Sequence, residues 1–232
     1  MIDREDVLDA LGTVYDPELD EPITSLRFVT SCDVSADGDV DVRLRLPTPQ
    51  CAPNFAYLMA ADARNAVLRL PEVRGVTVLL EDHYTGDEIN TAVGRGEGFA
   101  EAFPDETEGE LDTLRELFQR KALVARESRV CEALLAGGAT PEEVAARRVA
   151  DLPDDREACR CIELRKQLGI PAEADAPAFV RPDGEPIAAA DLRHWLRRAR
   201  LMRTSLEVNG GICRSLLRIR YDLPDAKEEV AA

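Results

Sequence analysis

The stretch Val40-Asp41-Val42-Arg43-Leu44-Arg45-Leu46 decides how the first part of the chain folds. Val40, Val42, Leu44 and Leu46 fall on one side of an extended backbone, and Asp41, Arg43 and Arg45 on the other. That period-two alternation predicts a strand with one buried face and one wet face. Just upstream, Phe28 to Val34 reads as a second strand, joined to the first through Ala36-Asp37-Gly38-Asp39, a hairpin signal. Downstream, Pro47 to Pro53 is a proline-rich loop around Cys51. A helix is predicted from about Asn54 to Leu70, stopped by Pro71, and then a third strand from Val76 to Leu80. At the N-terminal side, Asp3 caps a helix with Asp6 three residues on. Val7, Leu8, Leu11 and Val14 give its apolar stripe, and Asp16-Pro17 ends it. The order helix, strand, strand, helix, strand predicts an α+β fold, a small sandwich with helices packed on one sheet. A short helix over Asp87 to Val93 follows.

The rest of the chain reads as mainly α-helical. Gly94-Arg95-Gly96-Glu97-Gly98 and then Phe103-Pro104-Asp105 mark a linker or domain edge. The expected division is an α+β domain over residues 1–100 and a helical accessory domain over 101–232. A helix from about Glu108 to Ala136 ends at Gly137-Gly138. Thr140 caps the next, with Pro141 at its first position. Asp154 or Asp155 caps a third, running to Gly169-Ile170-Pro171. Residues 171–186 are loop, and Ala190 to Leu206 is a fourth helix, ended by Asn209-Gly210-Gly211. Ile212 to Ile219 fits helix or strand, and the last ten residues, rich in charge, are expected to fray.

Charge narrows the function classes. The 232 residues carry 45 Asp and Glu against 29 Lys and Arg, a formal net charge of −16. Such a surface repels phosphate backbones and anionic lipid, so nucleic acid and membrane are not the expected partners. No apolar run approaches the roughly 18 residues of a membrane span, and Met1-Ile2-Asp3-Arg4-Glu5-Asp6 lacks the apolar centre of a signal peptide. The expectation is a cytoplasmic protein whose six cysteines are reduced.

Several residues could carry chemistry. Cys51 lies just before a helix, where the dipole and free N–H groups favour the thiolate, the nucleophilic and metal-binding form. A buried small hydrophobe is the other reading of a free cysteine. Asp16 and Glu18 follow the first helix; they fit a turn first and metal ligands second. Cys159-Arg160-Cys161, with Cys213 and His194, could form a second metal site, although residues two apart on a helix point to opposite faces. Between Leu192 and Met202 a helix is predicted with Arg193, Arg197 and Arg200 on one face. Leu192, Trp195, Leu196 and Met202 lie on the other. Trp195 and these arginines are candidates for partner or interdomain contact. His83, beside Asp82, could pair with Cys51 as in a thiol hydrolase. No phosphate loop, dinucleotide fingerprint or nucleophile elbow occurs.

Three motifs in order resemble the SufT- and PaaD-like metal–sulfur cluster assembly factors. They are Asp16-Pro17-Glu18-Leu19, Thr48-Pro49-Gln50-Cys51, and Leu70-Pro71-Glu72-Val73-Arg74-Gly75-Val76. The resemblance covers residues 1 to about 85. It implies a small α+β protein that helps deliver iron–sulfur clusters to client apoproteins, an accessory role and not an enzyme. It places the family's reactive cysteine at Cys51, within the motif that begins at Thr48, and its acidic turn at Asp16 and Glu18. The implied cargo is iron or an iron–sulfur cluster, held transiently or not tightly bound at all. The implied partners are a client apo-metalloenzyme, either an iron–sulfur protein or a diiron oxygenase subunit, with a cluster carrier or chaperonin and a homodimer as further ones. Departures are local: Ala52 separates Cys51 from Pro53, Arg27 stands where a glycine is common, and no Cys-x-x-Cys pair occurs. They point to a dedicated client recognised by the helical domain. A metal-free adaptor, chaperone-like in assembling an oxygenase, is the alternative, and a thiol enzyme using Cys51 and His83 is the remote one.

Overall fold

The computed structural model describes residues 2–104 and 108–224. Asp105 of the linker signal and residues 225–232 of the charged tail lie outside the described residues. The fold is α+β, as the element order predicts. Two compact units are present: Met1–Thr113 with Val208–Ala232, and Leu114–Glu207.

The first unit opens with α1 (Arg4–Leu11), started by a capping box in which Asp3 accepts from the Glu5 and Asp6 N–H groups. The helix ends at Leu11 and Gly12, short of the predicted stop at Asp16-Pro17, so Val14 enters the core from a loop. A two-stranded ribbon absent from the prediction follows, β1 (Tyr15–Asp16) with β2 (Glu21–Pro22). The main sheet has the order β3-β4-β5, with β3 spanning Val29–Val34, β4 Asp39–Arg45 and β5 Gly75–Glu81. β3 and β4 are antiparallel; β4 and β5 run parallel, which requires the crossover helix α2 (Pro53–Leu68) between them.

The alternation holds: Val40, Val42 and Leu44 are buried, while Asp41 and Arg43 are exposed. Ala56, Ala60, Ala63 and Val67 give α2 a buried face of small residues that packs in the same core. The hairpin signal holds too. Gly38 has φ +88°, and a Cβ there would meet the Glu72 carbonyl oxygen at 2.4 Å, so only glycine fits without a shift. Beyond β5 come α3 (Gly86–Arg95) and α4 (Phe99–Ala102).

The second unit takes its core from α5 (Glu108–Ala136), α6 (Pro141–Ala146) and α7 (Arg156–Gln167), together with the first half of α8 (Ala189–Tyr221). Thr140 and Asp155 cap α6 and α7 as predicted. One boundary differs. α8 does not stop at Asn209-Gly210-Gly211; it continues to Tyr221. Two glycines inside a helix cost about 1 kcal/mol each relative to alanine. Tertiary contact overrides that cost, because Gly210 lies against Glu21, where a Cβ would meet Oε1 at 2.8 Å. Leu206, Gly210 and Leu217 are buried at helical spacing and continue the stripe through the glycines. No helix among the described residues is long and apolar enough to cross a membrane.

Candidate functional site

Three loops of the first unit carry the candidate residues, and two of them are joined at Cys51. The first is the turn between β1 and β2. Asp16 is only 8% exposed, and its Oδ1 accepts from the Glu18 and Leu19 N–H groups at 2.8 and 2.9 Å. This is the turn-forming role that Asp-Pro predicts. Burial nevertheless pushes the Asp16 carboxyl up to about 6, against the pull of those two N–H groups. Glu18 is half-buried beside it.

The second loop joins β4 to α2. Ala52 is the N-cap of α2 and Pro53 its first residue, so Cys51 stands just outside the helix. The Cys51 N–H donates to the Thr48 carbonyl at 3.3 Å, and Thr48 Oγ1 lies 3.6 Å from Cys51 Sγ. The structure thus pairs the two ends of the Thr48-Pro49-Gln50-Cys51 motif. The thiol is half-buried, neither sealed in the core nor fully wet.

The third loop follows β5. His83 Nδ1 accepts from the Thr85 N–H at 3.3 Å, which leaves the proton on Nε2; Nε2 then donates to the Cys51 carbonyl at 2.8 Å. The Tyr84 N–H donates to the Pro49 carbonyl at 3.1 Å. His83 therefore positions the Cys51 backbone, and its ring nitrogens are engaged away from the thiol.

The end of α8 lies across these loops. Arg214 pairs with Glu21 at 2.5 Å, Arg220 with Asp82 at 2.8 Å, and the Tyr221 hydroxyl donates to Asp82 at 2.7 Å. The Tyr221 hydroxyl and then Arg220 hold the Asp82 carboxyl below its ordinary value. The Arg45 guanidinium stacks on the Tyr221 ring, 3.8 Å from its centroid. One residue before Arg214, Cys213 is half-buried on the rim of the same core as Cys51. Burial raises the Cys213 thiol to about 11, and Asp16, Cys51 and Glu18 add to the rise. The sequence grouped Cys213 with Cys159 and Cys161. The signal that places it here is the spacing Leu206, Gly210, Cys213, Leu217, which carries one helix face past the two glycines.

Of the other candidates, Cys159 is exposed and Cys161 buried on α7, and His194 is exposed on α8. Among the described residues no group of three or more His, Cys, Asp or Glu is arranged to hold a metal ion. Trp195 is 9% exposed within the second core. Arg193 and Arg197 are exposed, and Arg200 pairs with Glu132 at 2.8 Å. With Leu135 and Leu196 these residues line a groove of about 430 Å³.

Known proteins share the sequence of part of the first unit. Residues 4–80 match a family described as iron-sulfur cluster assembly protein. An uncharacterized protein of Methanocaldococcus jannaschii is 36% identical over 90 residues, 39% of this chain and 93% of that relative. An Fe-S protein maturation auxiliary factor of Porphyromonas gingivalis is 36% identical over 75 residues, 32% of this chain and 70% of that relative. An iron-sulfur cluster carrier protein of Deinococcus radiodurans is 38% identical over 73 residues, 31% of this chain but 20% of the relative.

Proposed function

The chain belongs, through residues 4–80, to the iron-sulfur cluster assembly protein family, and from that premise we propose that it is an auxiliary maturation factor, not a catalyst, which presents Cys51 to iron or an iron–sulfur cluster on its way to a client metalloenzyme. The observation that carries the reading is the half-buried Cys51 thiol held by its own loop, with the Thr48 hydroxyl 3.6 Å from Sγ. Cysteine thiolate is a soft ligand suited to iron–sulfur cargo. The His83 bond to the Cys51 carbonyl and the stiff proline loop fix where the thiol stands, so little ordering entropy is lost when cargo arrives. Thr48 Oγ1 stands close enough to Sγ to share a hydrogen bond with it when cargo is absent or leaving. The helical residues beyond 113 serve client recognition in this reading.

The test is complementation in the native host. Deletion is expected to lower the activity of iron–sulfur enzymes, wild type to restore it, and Cys51→Ser to fail while keeping the wild-type circular dichroism spectrum. Full restoration by Cys51→Ser would favour a metal-free adaptor. One observation supports that second reading: Val208, Ile212, Leu216 and Ile219 form an exposed apolar stripe on α8, the kind of surface a protein partner covers.

A further inference from the structure

The groove between α5 and α8 in the second unit carries a charge opposite to that of the chain. The protein has a net charge of −16, yet residues 192–203 hold five arginines and no acid. Three of them, Arg193, Arg197 and Arg200, recur at helical spacing and line the groove. At 1.5 Å per residue they make a cationic edge about 10 Å long. Between them α8 adds Leu196, and α5 adds Glu132 and Leu135. Both leucines are half-buried, so the lining is apolar as well as cationic.

Glu132 is the one carboxylate of that lining, and both of its oxygens are engaged. Oε1 accepts from Arg200 at 2.8 Å and Oε2 from Arg203 at 2.7 Å. Among the described residues Arg193 and Arg197 have no acidic partner, and Arg197 meets His194 Nδ1 at 3.5 Å. Exposed guanidiniums beside apolar side chains complement a segment that carries carboxylates beside an apolar face. A small anion would use the arginines and leave Leu135 and Leu196 without a role in a groove of about 430 Å³. Nucleic acid or an anionic membrane would meet the repulsion of the acidic remainder.

We propose that this groove docks an acidic amphipathic helix of the client protein. Carboxylates at the same helical spacing meet Arg193 and Arg197, and an apolar side chain seats on Leu135 and Leu196. Glu132 competes with the incoming carboxylates for Arg200. The proposal rests on the client-recognition role given above to the residues beyond 113, and it names the chemistry of the partner.

Fluorescence anisotropy of the full chain tests it. The probe is a fluorescein-labelled synthetic helix of about five turns, with leucines on one face and glutamates along both edges. Its control carries lysines in place of the glutamates. Wild type is expected to bind the glutamate helix in preference to the lysine helix, and more weakly as salt rises. Arg193→Glu with Arg197→Glu should weaken binding of the glutamate helix about tenfold or more and reverse the preference. Glu132→Gln should tighten it about threefold, because Arg200 is released. That gain is one that damage to the fold cannot produce. An unchanged Trp195 denaturation midpoint in each variant shows that the second unit is intact. No preference for the glutamate helix in wild type, or no reversal in the folded double variant, overturns the proposal. Displacement of the probe by inorganic phosphate at constant ionic strength overturns it too, in favour of a small-anion site. Complementation separates the two readings. Full restoration by the arginine double variant, with failure of Cys51→Ser, overturns the groove and leaves the maturation reading standing. Full restoration by Cys51→Ser, with failure of the arginine double variant, overturns cargo presentation and leaves the groove as the docking site.

Discussion

The two units solve the same problem, a buried backbone, by different means. In the first, β3, β4 and β5 satisfy one another's N–H and C=O groups, so the interior around Val40, Val42 and Leu44 needs no polar side chain. In the second, an irregular loop is buried instead: Ala178, Phe179 and Val180 are each 3% exposed or less. Among the described residues it has no extended ladder: isolated backbone bonds serve the Ala178 N–H and the Phe179 carbonyl, and ionisable side chains serve other groups. Arg165 donates to the Pro177 and Ala178 carbonyls at 2.8 and 3.3 Å, and Glu127 accepts from the Val180 N–H at 3.1 Å. A sheet can keep its core apolar; a buried loop forces charge inside.

Removing that support should have the largest effect. Arg165→Met strips one buried and one half-buried carbonyl of their donors, at about 1–3 kcal/mol each, so the second unit should lose about 3 kcal/mol. Trp195 is the single tryptophan and lies in the second core, so its fluorescence during denaturation follows that unit. A loss below about 1 kcal/mol, the worth of one ordinary hydrogen bond, would break the contrast between the units.

The pH dependence sharpens it. Burial raises Glu127 to about 8, despite the Val180 N–H and Arg165, which both pull it down. The folded chain then holds a proton that the unfolded chain has lost above the ordinary carboxylate value. That stability is fully present at low pH and is lost as pH rises through about 8. Asp16 follows the same sign, but its window closes near 6. Between pH 6 and pH 8 the second unit should therefore weaken more than the first, by about 2 kcal/mol from the one-unit equivalence of 1.36 kcal/mol. Glu127→Gln keeps an acceptor for Val180 and should flatten the fall in the Trp195 transition. An unchanged slope would show that Glu127 stays ionised beside Arg165.

Gly38→Ala probes the first unit where its hairpin meets the Glu72 carbonyl. The left-handed φ of +88° and the 2.4 Å approach are both unfavourable to a Cβ. A loss of about 1–2 kcal/mol is expected in chemical denaturation followed by far-ultraviolet circular dichroism. The Trp195 transition should not move, and if it does, the two units are unfolding together.

Local signals carried much of this fold. The Asp3 capping box, the Val40-to-Leu46 alternation and the Thr140-Pro141 helix start depend on neighbours in sequence, and each holds. The misses depend on distant partners. The two glycines at 210 and 211 look like a helix stop until Glu21 is seen against them. The parallel pairing of β4 with β5 leaves no mark on either strand's alternation. For the candidate site, the Thr48–Cys51 pair and the Asp16 turn were visible as motifs, because each closes within a few residues. The His83 bond to the Cys51 carbonyl spans 32 residues and was not. Cys213 was hidden for the same reason, as its neighbours lie nearly two hundred residues earlier along the chain.

Arg27 sets the smallest expected effect and tests how firmly α8 is tied to the first unit. It has φ +60°, the left-handed conformation for which a glycine is the easy residue. Arg27→Gly should relieve about 1 kcal/mol of backbone strain. Against this, glycine enlarges the unfolded ensemble by about 0.4–1 kcal/mol. The Arg27 Nη1 bond to the Pro224 carbonyl, at 2.9 Å, is also lost. These terms nearly cancel, so the midpoint of the first unit should move by no more than about 0.5 kcal/mol. A loss well beyond that would mean that the Arg27–Pro224 contact is a principal tie between the end of α8 and the rest of the first unit. A change within that bound would mean that the Arg214–Glu21 and Arg220–Asp82 pairs suffice to hold it.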